Sequence, residues 1–494
     1  MYVIGTAGHV DHGKSTLVKT LTGTDPDRLA EEQRRAMTID LGFAWLSLPS
    51  GRSVSLVDVP GHERFMKNML AGVGGLDAAL LVVAADEAIM PQTSEHLAIL
   101  DLLGVSHGVV ALTKADLVDA EWLALVHEEV AAKLAGTSLA AAPLVPVSAR
   151  TGAGLAELRA ALDQVLDTTP ARNSERGTPR LPIDRSFTIG GFGTVVTGTL
   201  LAGPLALGQE VEILPSGLRA RIRGLQTHKQ RSETALPGTR VAVNLAGVHH
   251  SQISRGDVLS LPDAYTPTTL LDLRLRVLAE ADHPITQNTG LDLFLGAAEV
   301  RCRVTLLDAE SLVPGASGWV QLRLEQPIVA AHGDRCILRV ASPSMTVGGG
   351  MVIDPHPARH RRFRNEVLAG LETLARGAPD ELLVQALGAG PPRELAELRG
   401  ELGMPESIAQ PALAKLISSG LVLALGEQTS SAHLITPAGW SRLEERLLPP
   451  LRAYQRRYPL RQGMPREELR QRLRLSPRAL TACLTEAARR ALIG

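Results

Sequence analysis

In the first third of the chain apolar residues gather in short unbroken runs: Tyr2-Val3-Ile4, Val54 to Val57, Leu76 to Ala85, Gly108 to Leu112 and Leu144 to Val147. Stretches of helical pattern, such as Gln92 to Leu103, separate them. Apolar strands alternating with helices predict a doubly wound α/β domain over residues 1–168. Residues 168–182, rich in Pro, Thr, Arg and Gly, read as a linker. The pattern then changes to short β-branched runs punctuated by glycine: Gly193 to Leu200, Glu210 to Leu214, Ala220 to Leu225 and Arg240 to Leu245. These predict a small antiparallel β-barrel at 178–263. A second barrel, at 266–355, is expected from Leu270 to Val277, Leu291 to Leu295, Val300 to Leu307, Trp319 to Leu324 and Cys336 to Val340, closing with Thr346 to Val352.

From about residue 358 helices replace strands. Pro379 to Leu387, Pro392 to Leu402 and Pro405 to Ser419 each open near a proline, which suits a helix's first turn. With Leu421 to Leu425 and Ala432 to Ile435 as wing strands, they predict a winged helix over 376–440. A partial second one, 441–494, holds helices at Met464 to Leu473 and Pro477 to Leu492 and stops before any wing.

The candidate chemistry begins where the first strand ends. Gly8-His9-Val10-Asp11-His12-Gly13-Lys14-Ser15-Thr16 fits the phosphate-cradle pattern G-x-x-x-x-G-K-[ST]. Its backbone N–H groups, from Val10 through Asp11, His12 and Gly13 to Thr16, are expected to face phosphate oxygens, with Lys14 on the terminal phosphates and Ser15 on magnesium. A chance glycine-rich turn is the bland alternative, and three later segments argue against it. Asp58-Val59-Pro60-Gly61 follows an apolar run that would deliver Asp58 toward the metal and leave the Gly61 N–H for the γ-phosphate. Thr38 is the candidate switch residue, completing the metal set with Ser15 and Asp58. Thr113-Lys114-Ala115-Asp116 offers a carboxylate for the two donors of guanine, and Ser148-Ala149-Arg150 a backbone N–H for its oxygen. The expected ligands are therefore GTP and Mg2+, which makes residues 1–168 a P-loop GTPase domain.

His62, directly after Gly61, is the candidate catalytic residue that orients the attacking water. Val10 and Ile39 could form an apolar gate that keeps it off the water until a partner acts. Of the 51 basic residues only seven are Lys, yet Lys14 and Lys114 occupy the phosphate and base positions, where a compact ammonium is needed.

With these motifs the chain resembles the translational GTPases, and most nearly the selenocysteine-specific elongation factors. The specific marks are Met37-Thr38-Ile39-Asp40-Leu41-Gly42-Phe43, the Thr-Lys-x-Asp form of the base motif, Leu181 to Phe187 and Gly193 to Thr199. Thr113 in place of the usual Asn is expected to weaken one hydrogen bond between the nucleotide loops. The resemblance implies delivery of selenocysteinyl-tRNA to the ribosome at recoded UGA codons, hydrolysis triggered there, and a messenger RNA hairpin as a further partner. It also implies a monomer working in the cytoplasm, away from membranes. A selenolate is ionised at neutral pH, so its pocket should present fixed positive charge. By resemblance Asp184 would take the α-amino group and Arg185 and Arg240 would face selenium, with His228 lining the same cleft; surface ion pairs are the plainer reading of these residues. The family carries a longer array of winged helices, so against it this chain reads as shortened, and the hairpin contact is the least supported.

Composition narrows the rest. The longest apolar runs fall short of the roughly 20 residues of a spanning helix, and an N-terminus that is already strand and phosphate loop leaves no room for a signal peptide. Cys302, Cys336 and Cys483 are too few and too scattered for a disulfide framework or metal cluster. Formal charge is −1 overall, but residues 441–494 carry 13 Arg, no Lys and five Glu, a local +8. That asymmetry points to a nucleic-acid-facing end, or to a solvated helical surface. At 3% aromatics, contacts by Arg to RNA phosphates and shape are expected rather than base stacking. Two rival functions stay open: a general aminoacyl- or initiator-tRNA carrier, and a GTP-gated winged-helix nucleic-acid binder.

Overall fold

The computed structural model describes residues 2–27, 30–35, 37–170, 177–227, 230–342, 344–377, 379–388, 390–402, 404, 406–426, 432–461 and 463–493. They form two compact units, Met1–Arg364 and Asn365–Gly494. His228 lies outside the described residues.

The first unit opens with a six-stranded sheet of β1 (Tyr2–Ala7), β2 (Gly42–Ser47), β3 (Ser53–Asp58), β4 (Ala78–Ala84), β5 (Gly108–Thr113) and β6 (Leu144–Pro146), in the order β2-β3-β1-β4-β5-β6. All pairs are parallel except β2 with β3. Its central strands are apolar throughout because both faces are covered. Ile4, Leu56, Leu80 and Val82 pack against Leu17 and Leu21 of α1 (Lys14–Thr22), and Val83, Leu81 and Val110 against Leu97 and Leu100 of the helix Pro91–Leu102. Parallel strands present their carboxyl ends together, so the loops after β1, β3, β5 and β6 meet along one edge. The four nucleotide motifs lie on those loops.

In the next domain Glu210–Leu214, Leu218–Thr227, Arg240–Ala246 and Gly193–Thr199 pair antiparallel around a core that includes Val196, Ile213, Ile222 and Val243. The segment from Arg180 to Ile189 closes it, pairing first with Val258–Ser260 and then with Gly193–Thr199. Part of the stretch read as linker is thus a strand, Arg180–Pro182. Its arginine is tied down by two 2.6 Å bonds to Asp334 of the following domain. That domain is a closed six-stranded barrel of Thr268–Val277, Ser317–Ile328, Ala298–Leu306, Gly290–Leu295, Arg335–Ala341 and Ser344–Asp354. Phe294 and Ile337 of this barrel join Met69 and Leu102 of the first domain in one buried cluster, which fixes the domains against each other.

In the second unit, helices Pro379–Leu387, Leu395–Leu402 and Glu406–Ser418 pack with strands Leu423–Leu425 and His433–Ile435. Pro392 to Glu394, expected as helix, instead carries a third strand, Arg393–Glu394, paired with His433 and Leu434. Two helices went unanticipated, Asn365–Arg376 and the long Pro437–Arg457 with Pro449 and Pro450 inside it. The latter joins Arg466–Leu473 and Pro477–Arg489 around Trp440, Leu447, Leu469 and Cys483. Among the described residues no strand follows them, and no helix is long and apolar enough to cross a membrane. All three cysteines are buried and free, their thiols pushed up to about 12 by burial.

Candidate nucleotide site and its link to the second domain

Between β1 and α1 the backbone curls through positive φ at Gly8, Asp11 and Gly13. A Cβ at Gly8 would collide with the Val82 carbonyl oxygen, so only glycine fits there. Lys14, on the first turn of α1, is buried and folds back to donate to the carbonyls of Gly8 (3.0 Å) and His9 (2.6 Å). Burial lowers its ammonium to about 8. A cation held against two carbonyls and stripped of water is poised for a stronger anion. The cradle is braced from the helix Pro91–Leu102: the Gly8 N–H donates to His96 Nδ1 (2.9 Å) and the Val10 N–H to Gln92 Oε1 (3.1 Å). Burial pushes His96 down to about 3, so it stays a neutral acceptor. These two residues were missed from sequence, where they read only as part of a helical pattern.

Ser15, Thr38 and Asp58 converge. The Ser15 hydroxyl donates to Asp58 Oδ2 (2.7 Å) and lies 2.7 Å from the Thr38 hydroxyl. Thr6 donates to Asp58 Oδ1 (2.7 Å), and Thr38 to Asp27 Oδ1 (2.8 Å), which adds an unforeseen carboxylate. Burial raises Asp58 to about 6 and raises Asp27 as well. Two carboxylates and two hydroxyls form a hard-oxygen set that fits Mg2+.

Gly61 passes so close to the cradle that a Cβ would collide with Lys14 Nζ and lie 2.7 Å from the Val10 nitrogen. The half-buried His62 next to it accepts from the Arg64 N–H at Nδ1 (3.2 Å). Ile39 is anchored at both ends, its N–H on Glu32 Oε1 (3.0 Å) and its carbonyl on Asn68 (2.8 Å).

At the base side Thr113 donates to the His12 carbonyl at 2.7 Å, so the hydrogen bond between loops expected to weaken is made, by a hydroxyl instead of an amide. Lys114, at φ 55°, spans Asp86 and Glu87, each at 3.2 Å. Asp116 is held below the ordinary carboxylate range, first by the Ser148 hydroxyl, then by Arg150, whose guanidinium lies 2.7 Å from it. Arg150 is 76% exposed, and its Nε also donates to Asp116 at 3.0 Å. The turn carrying Ala149 is closed by the Thr151 N–H on Ser148 Oγ (3.1 Å).

The sequence-predicted aminoacyl residues lie where the first two domains meet. Arg240 grips Asp184 with both terminal nitrogens, and Thr197 bonds both partners, at 2.8 Å to Asp184 and 3.0 Å from Arg240. The Arg240 guanidinium sits 3.3 Å from the ring centre of Phe43. Arg185 reaches the same ring from 5.5 Å and bonds Asp40 Oδ2 (2.8 Å) and the Leu41 carbonyl (2.7 Å). All three residues are thus brought together, but engaged with protein partners. A crevice beside them is lined by Phe43, Asp184 and Arg240 together with Gly72, Gly74 and Gly296.

A phosphate-cradle domain followed by two antiparallel barrels, with its switch segment packed on the first barrel, defines a translational GTPase. Residues 1–168 match the elongation factor Tu GTP binding domain and 193–260 elongation factor Tu domain 2. Residues 272–359 match the selenocysteine-specific elongation factor β-barrel domain, and 450–493 the elongation factor SelB winged helix. The selenocysteine-specific elongation factor of Desulfomicrobium baculatum is 44% identical over 94% of this chain and 73% of its own length. That of Escherichia coli is 41% identical over 76% of this chain, which spans 59% of it. The translation initiation factor 2 γ subunit of Thermococcus kodakarensis is 32% identical over 71% of this chain. A crystal structure of a bacterial selenocysteine-specific elongation factor covers 99% of this chain and is itself covered to 78%, with a TM-score of 0.82 at 28% identity. The chain belongs to the selenocysteine-specific elongation factor family.

Proposed function

We propose that this GTPase carries selenocysteinyl-tRNA to the ribosome in the cytoplasm, releases it when GTP is hydrolysed there, and meets messenger RNA through its arginine-rich C-terminal unit. The observation that carries the reading is the adjoining pair of sites, a triphosphate cradle and a doubly cationic pocket, joined by the six residues Thr38 to Phe43. Lys14 and the loop from Val10 to Thr16 would hold the phosphates, Asp116 and the 148–150 turn would hold guanine once Arg150 withdraws, and Ser15, Thr38 and Asp58 would hold magnesium. When bound, magnesium neutralises the charge that grows between the β- and γ-phosphates. Gly61 offers its N–H to the γ-phosphate and His62 orients the attacking water.

In the pocket, charge balance supplies the selectivity. The aminoacyl ester brings an ammonium, which takes Asp184 from Arg240; a selenolate then fills the place that Asp184 left on Arg240. Serine brings the ammonium but no anion, leaving a mostly buried guanidinium unpaired, and rejection by an unpaired buried group is strong. Filter binding tests the reading: selenocysteinyl-tRNA should be retained with a non-hydrolysable GTP analogue and released with GDP. Equal retention in both forms would contradict it.

The metal assignment has its own pH signature. Asp58 must be ionised to hold a cation, so magnesium-dependent nucleotide affinity is expected to fall about tenfold per pH unit below its value of about 6. The nucleotide-free protein should respond with the opposite sign. A carboxyl raised in the folded state contributes stability in acid that is lost as pH rises through about 6. Magnesium titrations and thermal melts across that range check both halves.

A further inference from the structure

Asp40 is not among the residues assigned to nucleotide or magnesium, yet it occupies one of the two cations of the proposed aminoacyl pocket. Its carboxylate lies 2.8 Å from Arg185, which also donates to the neighbouring Leu41 carbonyl at 2.7 Å. Arg185 remains incompletely satisfied, because its Nε is buried without an acceptor. Asp40 itself is fixed from the nucleotide side: its N–H and that of Ile39 both donate to Glu32 Oε1 at 3.0 Å. Two residues earlier Thr38 touches Ser15 and Asp27, and three residues later Phe43 lies under Arg240.

We infer that Asp40 is an internal competitor of the selenolate for Arg185, and that the position of segment 38–43 decides which of the two anions the arginine holds. This rests on the function proposed above. With Asp40 on Arg185, an incoming selenolate meets a carboxylate of like charge and gains only Arg240. With Asp40 drawn away, both guanidiniums face the selenolate. Segment 38–43 runs into the central sheet through β2, so a change at Thr38 is passed to Asp40 along two peptide units. Affinity for an anionic aminoacyl group is thereby tied to the nucleotide through one carboxylate. By linkage the bound aminoacyl-tRNA must favour the nucleotide state that removes Asp40.

The test is Asp40→Asn in the full chain, with Asp40→Glu as the variant that restores the charge. Selenocysteinyl-tRNA affinity is measured with a GTP analogue and with GDP, and affinity for each nucleotide alone is measured beside it. The Asn variant should bind selenocysteinyl-tRNA about tenfold or more tighter in the nucleotide form that keeps Asp40 on Arg185 and little changed in the other, which alters the ratio between the two forms. Nucleotide preference without tRNA should shift away from the form that keeps Asp40 on Arg185, and the Glu variant should return toward the original ratios. An unchanged ratio, or an equal loss of tRNA affinity in both forms, would overturn the competitor role. Failure of the underlying reading is separate and visible: the unaltered protein would then show no preference for selenocysteinyl- over seryl-tRNA.

Discussion

Replacing His62 by alanine should slow ribosome-stimulated GTP hydrolysis by roughly 10²–10⁴-fold, the range contributed by one positioned proton-handling or water-orienting side chain. Its neighbour Gly61 touches the cradle so closely that no side chain fits there, so residue 62 is the first that can reach beyond the terminal phosphate. The imidazole is held instead against the Arg64 N–H at 3.2 Å. Release from that contact in the stimulated state would free both ring nitrogens for the attacking water. Nucleotide binding should survive, since the cradle is held by Lys14, Gln92 and His96 and not by His62. Single-turnover phosphate release with ribosomes, beside nucleotide retention on a filter, separates the two. A normal stimulated rate in the alanine variant would remove His62 from the mechanism.

Neutralising Arg185 and Arg240 together, as Met in both positions, should erase the preference for selenocysteinyl-tRNA over seryl-tRNA while GTP affinity stays unchanged. Truncating one partner of a desolvated charge pair typically costs about 2–5 kcal/mol, so the lost preference is roughly thirty- to four-thousandfold. Arg240 is the larger contributor: its side chain is 11% exposed and grips Asp184, whereas that of Arg185 is 32% exposed. Removing Arg240 leaves Asp184 buried and unpaired, so Arg240→Lys is the companion variant. It keeps the charge, loses the planar fork, and should retain part of the preference with little loss of stability. Full discrimination in the double variant would refute the pocket.

The GTPase loops were legible because each chemistry is written locally, in a strand end and the few residues after it. Barrel strands showed for a similar reason, since inward positions alternate along each strand, as Leu271, Leu273 and Leu275 do. What escaped acts across sequence distance. His96 and Gln92 brace a loop more than eighty residues earlier, and Asp27 joins the proposed metal set by accepting from the Thr38 hydroxyl eleven residues on. Arg393–Glu394 is a strand only because His433–Ile435 lies beside it, a tertiary override of a helical pattern. In Pro437–Arg457 the paired prolines hid a helix whose stability comes from Trp440, Leu443 and Leu447 in the core. The low aromatic content concealed a local concentration too: Tyr454 and Tyr458 pack as tilted rings with centres 4.8 Å apart, beside Arg457 and Arg461. The pocket residues named from sequence lie together, yet the carboxylate partner of Arg185, Asp40, and the aromatic floor Phe43 belong to another domain.

The central claim is that a cationic pocket beside the nucleotide switch reads the charge of the amino-acid side chain. One tRNA body, charged either with selenocysteine or with serine, is titrated against the protein holding a GTP analogue near neutral pH. The account predicts that the selenocysteinyl form binds at least about thirtyfold tighter. Indistinguishable affinities, with nucleotide binding intact, would contradict it.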